Sequence, residues 1–466
     1  MLKFLASLLA ISVSAHFLPL ALGACSTFKL QKGAELLYGH NLNQPGMNVP
    51  GMVFINKRGV FKTGRSFSEM FTKERLNPSG LSWISRYGSI TFSAFGRDFP
   101  DGGINEAGIY IWEMNDDTAY PKNDKLPKLE QMNWMQYILD NCTTLDEALA
   151  AAREIEIDGW GWHYFLGDAR GDCAAVEFIK GEVVIQRGET MPVPGLFNEP
   201  YARELQLSRY FKGFGGLYEP DLNNNKVPRF VKTAVMIRDY DPALDAVAYG
   251  LKMLRQLTVN EEPKWSVLID VVRKNVYFKT MANPQIKSFS FKDIDFSNHG
   301  PVLALNMDQK QGGDVGRSLS PATDDAIEAM LVSLPLPEDF FQQIGITKKI
   351  FIERFTSHTR DAGKPEKQFF RGAWKGGAQA GKADKKNELT LELKTEGSNV
   401  SGVIRNSEGE SYPLEHLHLV DKKMEFTFRN DKGTIFVAKA LFGENALELQ
   451  LWDIEQFLGA FTLARQ

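Results

Sequence analysis

The chain is poor in cysteine and histidine, with three of one and seven of the other in 466 residues. Three cysteines, at Cys25, Cys142 and Cys173, are far apart and odd in number, which excludes a disulfide framework. They also make no closely spaced metal-binding pair. His416 and His418 share one face of a tail strand but lack a third ligand, so the sequence points to no metal and no cofactor. His163, between Trp162 and Tyr164, reads as a core or sheet-face histidine. An excess of one charge is missing as well. The 54 basic and 58 acidic residues are interspersed and leave a net charge of -4, which speaks against a nucleic-acid-binding surface. Beyond the N-terminus no apolar run is long enough to span a bilayer.

One apolar run is present, and it starts the chain. Lys3 precedes a nearly uncharged stretch from Phe4 to Leu22, followed by Gly23 and Ala24. A basic start, an apolar middle and a small-residue end form a secretory signal, so residues 1–24 are expected to be removed and the protein exported, to a periplasm or the medium. Cys25 then becomes residue one. The string Leu22-Gly23-Ala24-Cys25 also resembles the lipobox of bacterial lipoproteins. Use of that signal would place a lipid anchor on Cys25 and remove its thiol. With Cys25 set aside, Cys142 and Cys173 are two isolated thiols or a pair.

A cysteine at residue one carries its own base. An α-amino group titrates near ~8, so part of it is neutral at pH 7 and able to take the thiol proton. Nucleophile and base then share one residue. Attack on an amide carbonyl creates an oxyanion that needs donors around it.

The 43% hydrophobic content supports large cores, and the length suggests two or three domains. From Cys25 to about Phe296, strand-like segments flank helical ones. They include Met52–Asn56, Gly88–Ala94, Gly108–Met114, Trp162–Gly167, Cys173–Ile179, Trp265–Val272 and Asn275–Thr280. Helices are expected from about Lys128 to Asn141 and from Thr144, with Glu147 three residues on as a capping box. A further helix is expected after Pro242, with Leu244, Val247, Ala248, Leu251 and Leu254 as its apolar face. The pattern weakens between about Asn298 and Gln368, which reads as a connector. The tail alternates polar and apolar residues in short strands, as in Glu388–Leu393, Met424–Phe428 and Ala446–Leu451. That spacing indicates a small β-barrel or sandwich.

The strings CSTFKL, YGHNLN, GMVFINKRGVFKT, GGINEAGI, LFNEPY, PRFVKTA and WSVLIDVVRKNVYFKT occur in this order. Together they resemble the choloylglycine-hydrolase family of linear amide C–N hydrolases, which includes penicillin V acylases and bile salt hydrolases. The resemblance implies an α+β, four-layer αββα N-terminal-nucleophile hydrolase fold. The expected division is a signal peptide (1–24), a hydrolase domain (25–330), a connector (331–368) and a small lipocalin-like barrel or sandwich (369–466). It further implies Cys25 as nucleophile and base, Asn105 and Asn198 as oxyanion contributors, and Arg229 beside the thiol. Where the family has Gly-Arg-Asn-x-Asp, this chain has Gly39-His40-Asn41-Leu42-Asn43. His40 therefore stands for the usual arginine, and Asn43 for the aspartate that holds the α-amine.

These residues lead to hydrolysis of an N-acyl amide through a Cys25 acyl-enzyme. Substrates of the bile-salt, penicillin V and N-acyl amino acid or lactone types all fit. His40, Trp83 and Phe95 are candidate substrate-binding residues, the last two within an aromatic group that includes Phe92 and Phe99. The expected partner is a small N-acyl amide, with no nucleic acid and no membrane span, and homo-oligomerisation is left open. The alternatives are an inactive acyl-ligand-binding lipoprotein and an acyltransferase to an amine.

Overall fold

In the computed structural model, the described residues run from 25 to 466. They omit 44–48, 74–78, 80, 117, 259–261, 293, 299, 362–371, 382–386, 397–398, 421–422, 443–445 and 454–455. The expected signal peptide and lipobox segment before Cys25 lie outside the described residues.

Two sheets face each other. The first runs from the short edge strand Gly195–Leu196 through Ser26–Lys32, Glu35–Leu42, Trp265–Asp270, Asn275–Thr280 and Lys287–Ser290 to Gly313–Asp314. The second runs from Glu182–Arg187 through Cys173–Ile179, Trp162–Gly167, Tyr110–Asn115, Gly102–Asn105, Ser89–Ser93 and Met52–Asn56 to Leu303–Asn306. Side chains alternate across a strand, so each of these strands sends every second residue into the space between the sheets. Tyr38 of the first sheet stacks on Tyr110 of the second at 4.5 Å between ring centroids. Each such aromatic pair adds about 0.5–1.5 kcal/mol beyond its burial.

Helices Arg229–Arg238 and Ala246–Gln256 cover the outer face of the first sheet, and Gln131–Asn141 and Leu145–Glu154 cover the second. The result is the expected αββα arrangement. The predicted capping box holds, since Thr144 accepts from the Glu147 N–H and Glu147 accepts from the Thr144 N–H. Residues Lys128–Glu130 are not helical but pair in parallel with Glu156–Asp158. The expected apolar face of the Ala246–Gln256 helix is met in part, since Val247, Leu251 and Leu254 pack on the core while Ala248 is exposed. The buried residues of the helix are Ala246, Gly250, Met253 and Leu254, while Leu244 is 51% exposed. Gly250 decides this, because a side chain there would meet Leu268 at 2.9 Å.

The stretch read as a connector is mostly part of the core. Leu303–Asn306 pairs with Met52–Asn56. Helices Asp324–Ser333, Glu338–Ile344 and Lys348–Asp361 bury Ile327, Leu331, Phe340, Phe341, Phe351 and Phe355 in the main core. Charged residues such as Lys348, Lys349 and Glu353 dilute the pattern, yet Phe351 and Phe355, one turn apart, meet at 4.8 Å.

The tail is a nine-stranded meander whose two edge strands, Ser411–Pro413 and Glu415–Val420, are consecutive in the chain. The sheet therefore nearly closes on itself. Its interior is filled by a separate cluster with Trp374, Leu391, Met424, Leu447, Leu449 and Leu463 fully buried.

Candidate active site

Strand register gathers one end of both sheets. Leu42 ends the second strand of the chain, Met52 pairs with Ser93, Gly102 with Trp112, and Asn115 with Trp162. Cys25 enters the first strand at this same end, since Ser26 pairs with Asn41. Thr27 and its partner His40 face the second sheet. Ser26 and Asn41 face the helical layer, where the Asn41 amide donates to the Leu254 carbonyl at 2.8 Å. Alternation therefore turns Cys25, two residues before Thr27, inward between the sheets.

Cys25 is 3% exposed. Burial, then the negative field of Glu113, pushes its thiol well above the ordinary cysteine range. The Asn43 backbone N–H, which donates to the sulfur, and Arg229 oppose this, while Asp101 adds to it. Asp101 and Glu113 are both buried. Their strands run side by side, with the Glu113 N–H 3.4 Å from the Asp101 carbonyl oxygen. Burial lifts the Asp101 carboxyl to about 7, against the pull of the Ala94 N–H that it accepts at 2.9 Å. Burial, and then Asp101, also raises Glu113 well above its ordinary range. Two carboxyls thus stand behind the thiol.

Arg229 opens its helix directly after Pro228, a position where the missing proline N–H costs nothing. Its Nη1 donates to the Cys25 carbonyl oxygen at 2.5 Å and to Ser26 Oγ at 2.8 Å. Its Nη2 donates to Asn198 Oδ1 at 3.0 Å, and the guanidinium lies 5.3 Å over the Phe197 ring. The Asn198 Nδ2 in turn donates to the Asn115 carbonyl at 2.8 Å, leaving the second amide hydrogen of that nitrogen for another acceptor. Cys25, Asn43, Asn198 and Arg229 are thereby brought together.

Asn105 is not. It sits at the far end of Gly102–Asn105, four residues beyond Asp101, roughly 13 Å along a strand. Its amide donates to the Leu139 and Cys142 carbonyls and its oxygen accepts the Ile109 N–H. It ties a hairpin turn to the end of helix Gln131–Asn141. Asn115, at the other end of the hairpin, reaches the site through its carbonyl, and hairpin register is the signal that points to it.

Two of the three candidate substrate-binding residues also lie elsewhere. His40 is fully buried, with Nδ1 2.8 Å from Thr27 Oγ1 and its ring stacked on Trp112 at 4.0 Å. Burial holds its ring neutral, well below the ordinary histidine range, and Trp112 and Thr27 enclose it deeper along the strands than Cys25. Trp83 donates its Nε1 hydrogen to Asp140 Oδ2 at 2.8 Å and packs on Tyr137 at 5.3 Å. That anchors it to the helical layer outside the second sheet. Phe95 does follow the site end of Ser89–Ser93. It is half-buried against Phe71, Phe351 and Phe355. Glu113 and Asp101 were not anticipated, although Glu113 interrupts an otherwise apolar strand, YIWEMN.

Cys142 and Cys173 are separate buried thiols. Among the described residues no group of histidine, cysteine or carboxylates is arranged to hold a metal ion, and no helix is long and apolar enough to cross a membrane.

No family model matches the chain. It is 25% identical over 273 residues to penicillin V acylase of Pectobacterium atrosepticum, an alignment spanning 48% of this chain and 71% of that protein. The solved penicillin V acylase of Agrobacterium tumefaciens superposes with a TM-score of 0.54 at 23% identity, over 64% of this chain and 98% of its own. A variant of conjugated bile acid hydrolase from Clostridium perfringens gives a TM-score of 0.47 at 14% identity, over 62% and 98%. The Agrobacterium superposition carries the N-terminal-nucleophile hydrolase fold, and the Pectobacterium alignment spans most of its relative. With the site strings in their order, the chain is similar to the penicillin V acylases in sequence and shares their fold.

Proposed function

We propose that the protein hydrolyses a linear amide bond in an N-acyl substrate, with Cys25 as nucleophile after residues 1–24 are removed on export. The observation that carries this reading is the bonding of Arg229 to both the Cys25 carbonyl and Asn198. One guanidinium thereby registers the residue that attacks against the residue that would receive the oxyanion.

Within the uncleaved chain the thiol is buried and held protonated, so it is a poor nucleophile. Cleavage before Cys25 adds a base beside it. The α-amine takes the thiol proton, sulfur attacks the acyl carbon, and the carbonyl oxygen becomes an oxyanion. The free N–H of Asn198 Nδ2 faces that charge, and the positive field of Arg229 supports it. Collapse breaks the C–N bond, the ammonium proton goes to the leaving amine, and a thioester remains on Cys25. Water, deprotonated by the same amine, then releases the carboxylic acid.

The names of the relatives suggest the acyl amides to try first: phenoxymethylpenicillin, conjugated bile salts and N-acyl amino acids. The test is release of carboxylic acid and amine from that panel by the mature protein and by Cys25→Ala. The reading expects turnover by the first and a loss of at least about 10³-fold in the second. Equal turnover by both would place the nucleophile elsewhere.

A further inference from the structure

His163 is a fully buried polar residue that the proposed mechanism does not use. It pairs with Met114 on the second sheet and points into the space between the sheets. Its Nε2 lies 2.5 Å from the carbonyl oxygen of Phe197. A carbonyl only accepts, so Nε2 carries the hydrogen and donates it. The other edge of the ring faces acid, with Nδ1 3.7 Å from Asp116 Oδ2 and 3.8 Å from Glu177 Oε1.

Glu177 is fully buried too, and its Oε1 accepts the Tyr201 N–H at 2.7 Å at the start of helix Tyr201–Ser208. The Tyr201 hydroxyl bonds back to the main chain of Val193. The segment from Val193 to Tyr201 is thus clamped at its two ends and, through His163, at Phe197. Glu204 on the same helix faces both Arg229 and His163. Asn198, next to Phe197, is the residue whose amide bridges Arg229 and Asn115.

We propose that His163 is a positioning residue for the oxyanion site. The Phe197 carbonyl and the Asn198 N–H belong to one planar peptide group and point in opposite directions. Donation from His163 fixes that plane, and with it the direction from which the Asn198 side chain leaves the backbone. Nε2, not Nδ1, meets Phe197, and the Nδ1 edge is turned toward Asp116 and Glu177. This inference rests on the reading of Asn198 as oxyanion donor.

The test compares His163→Gln, whose amide nitrogen reaches the same carbonyl, with His163→Asn, which is too short. Both are made in the mature full-length protein and checked for folding by circular dichroism. The readouts are kcat and KM on the best substrate of the panel, and affinity for an aldehyde analogue whose carbonyl adds to the Cys25 thiol. Affinity for the product acid and the rate of Cys25 alkylation by iodoacetamide complete the set. A 1 Å misplacement costs about 10²-fold, so His163→Asn should lose about that factor in kcat and in aldehyde affinity. KM, acid affinity and alkylation should stay within about threefold, and His163→Gln should keep at least about a tenth of kcat.

Native kcat in a folded His163→Asn variant would overturn the proposal, and so would aldehyde and acid affinities that fall together. Failure of both variants to fold would also overturn it, marking His163 as a residue of folding alone. A wild-type protein inert toward the whole panel, with no aldehyde adduct on Cys25, would instead remove the hydrolase reading on which the inference stands.

Discussion

Arg229 donates to the carbonyl oxygen of Cys25 at 2.5 Å, joining residues 204 positions apart. The guanidinium grips the backbone of Cys25, and its remaining arm reaches Asn198. A fork of this kind is not replaced by lysine, which offers one point charge. Arg229→Lys should therefore fold and lower kcat about 10²-fold, with a smaller change in KM. Steady-state kinetics on a single N-acyl amide check this.

Asn105 and Asn198 should separate cleanly. Asn105 satisfies three main-chain groups inside the fold, and unsatisfied buried groups cost about 1–3 kcal/mol each. Asn105→Ala should lose stability on that scale in denaturant titrations while kcat stays within about threefold where the protein is folded. Asn198→Ala should lose about 10²–10³-fold in kcat with little change in stability.

The buried Asp101 makes a prediction about pH and stability. Its carboxyl titrates at about 7 in the folded protein, above the ordinary 3.8. Between those values the folded state holds a proton that the unfolded chain has lost, so stability falls as pH rises, by at most about 1.4 kcal/mol per unit. Below 3.8 both states hold the proton and no cost remains. Asp101→Asn removes this contribution. Between pH 5 and 7 its unfolding free energy should decline less steeply than that of the wild type, as measured by urea titration at each pH. Parallel slopes would contradict the buried, proton-holding carboxyl.

Much of this was legible in the sequence. The strings around Cys25, Asn198 and Arg229 lie where the chain passes the site, and the alternation of the tail strands marks the barrel. What was not legible depends on which face or end of a strand a residue occupies. GGINEAG has the look of a site turn, yet register puts Asn105 at one end of its hairpin and Cys25 at the other. His40 shares the inward face with Cys25 but lies deeper along the strands, under Trp112, and Trp83 belongs to the outer layer because Asp140 binds its indole. The helices after Asp324 were hidden because short helices with mixed faces give weak periodicity.

The resemblance to the choloylglycine hydrolases puts Asn43 where they carry an aspartate, and its own N–H donates to the thiol. An aspartate there would stabilise the protonated α-amine of mature Cys25 and raise its pKa. The amine acts as a base only when neutral, so the acidic limb of kcat/KM should move to higher pH in Asn43→Asp, by about one unit. A pH–rate profile of both proteins measures this. An unmoved limb would show that position 43 does not sense the amine.

The central claim is that Cys25 is both the first residue of the mature protein and the atom that is acylated. A top-down mass spectrum of the exported protein, acid-quenched seconds after mixing with phenoxymethylpenicillin, tests both at once. The account predicts a chain that begins at unmodified Cys25 before mixing and carries one phenoxyacetyl group on that residue afterwards, with no adduct in Cys25→Ala. A diacylglyceryl group on Cys25, a mature chain that starts elsewhere, or an acyl group on another residue would contradict it.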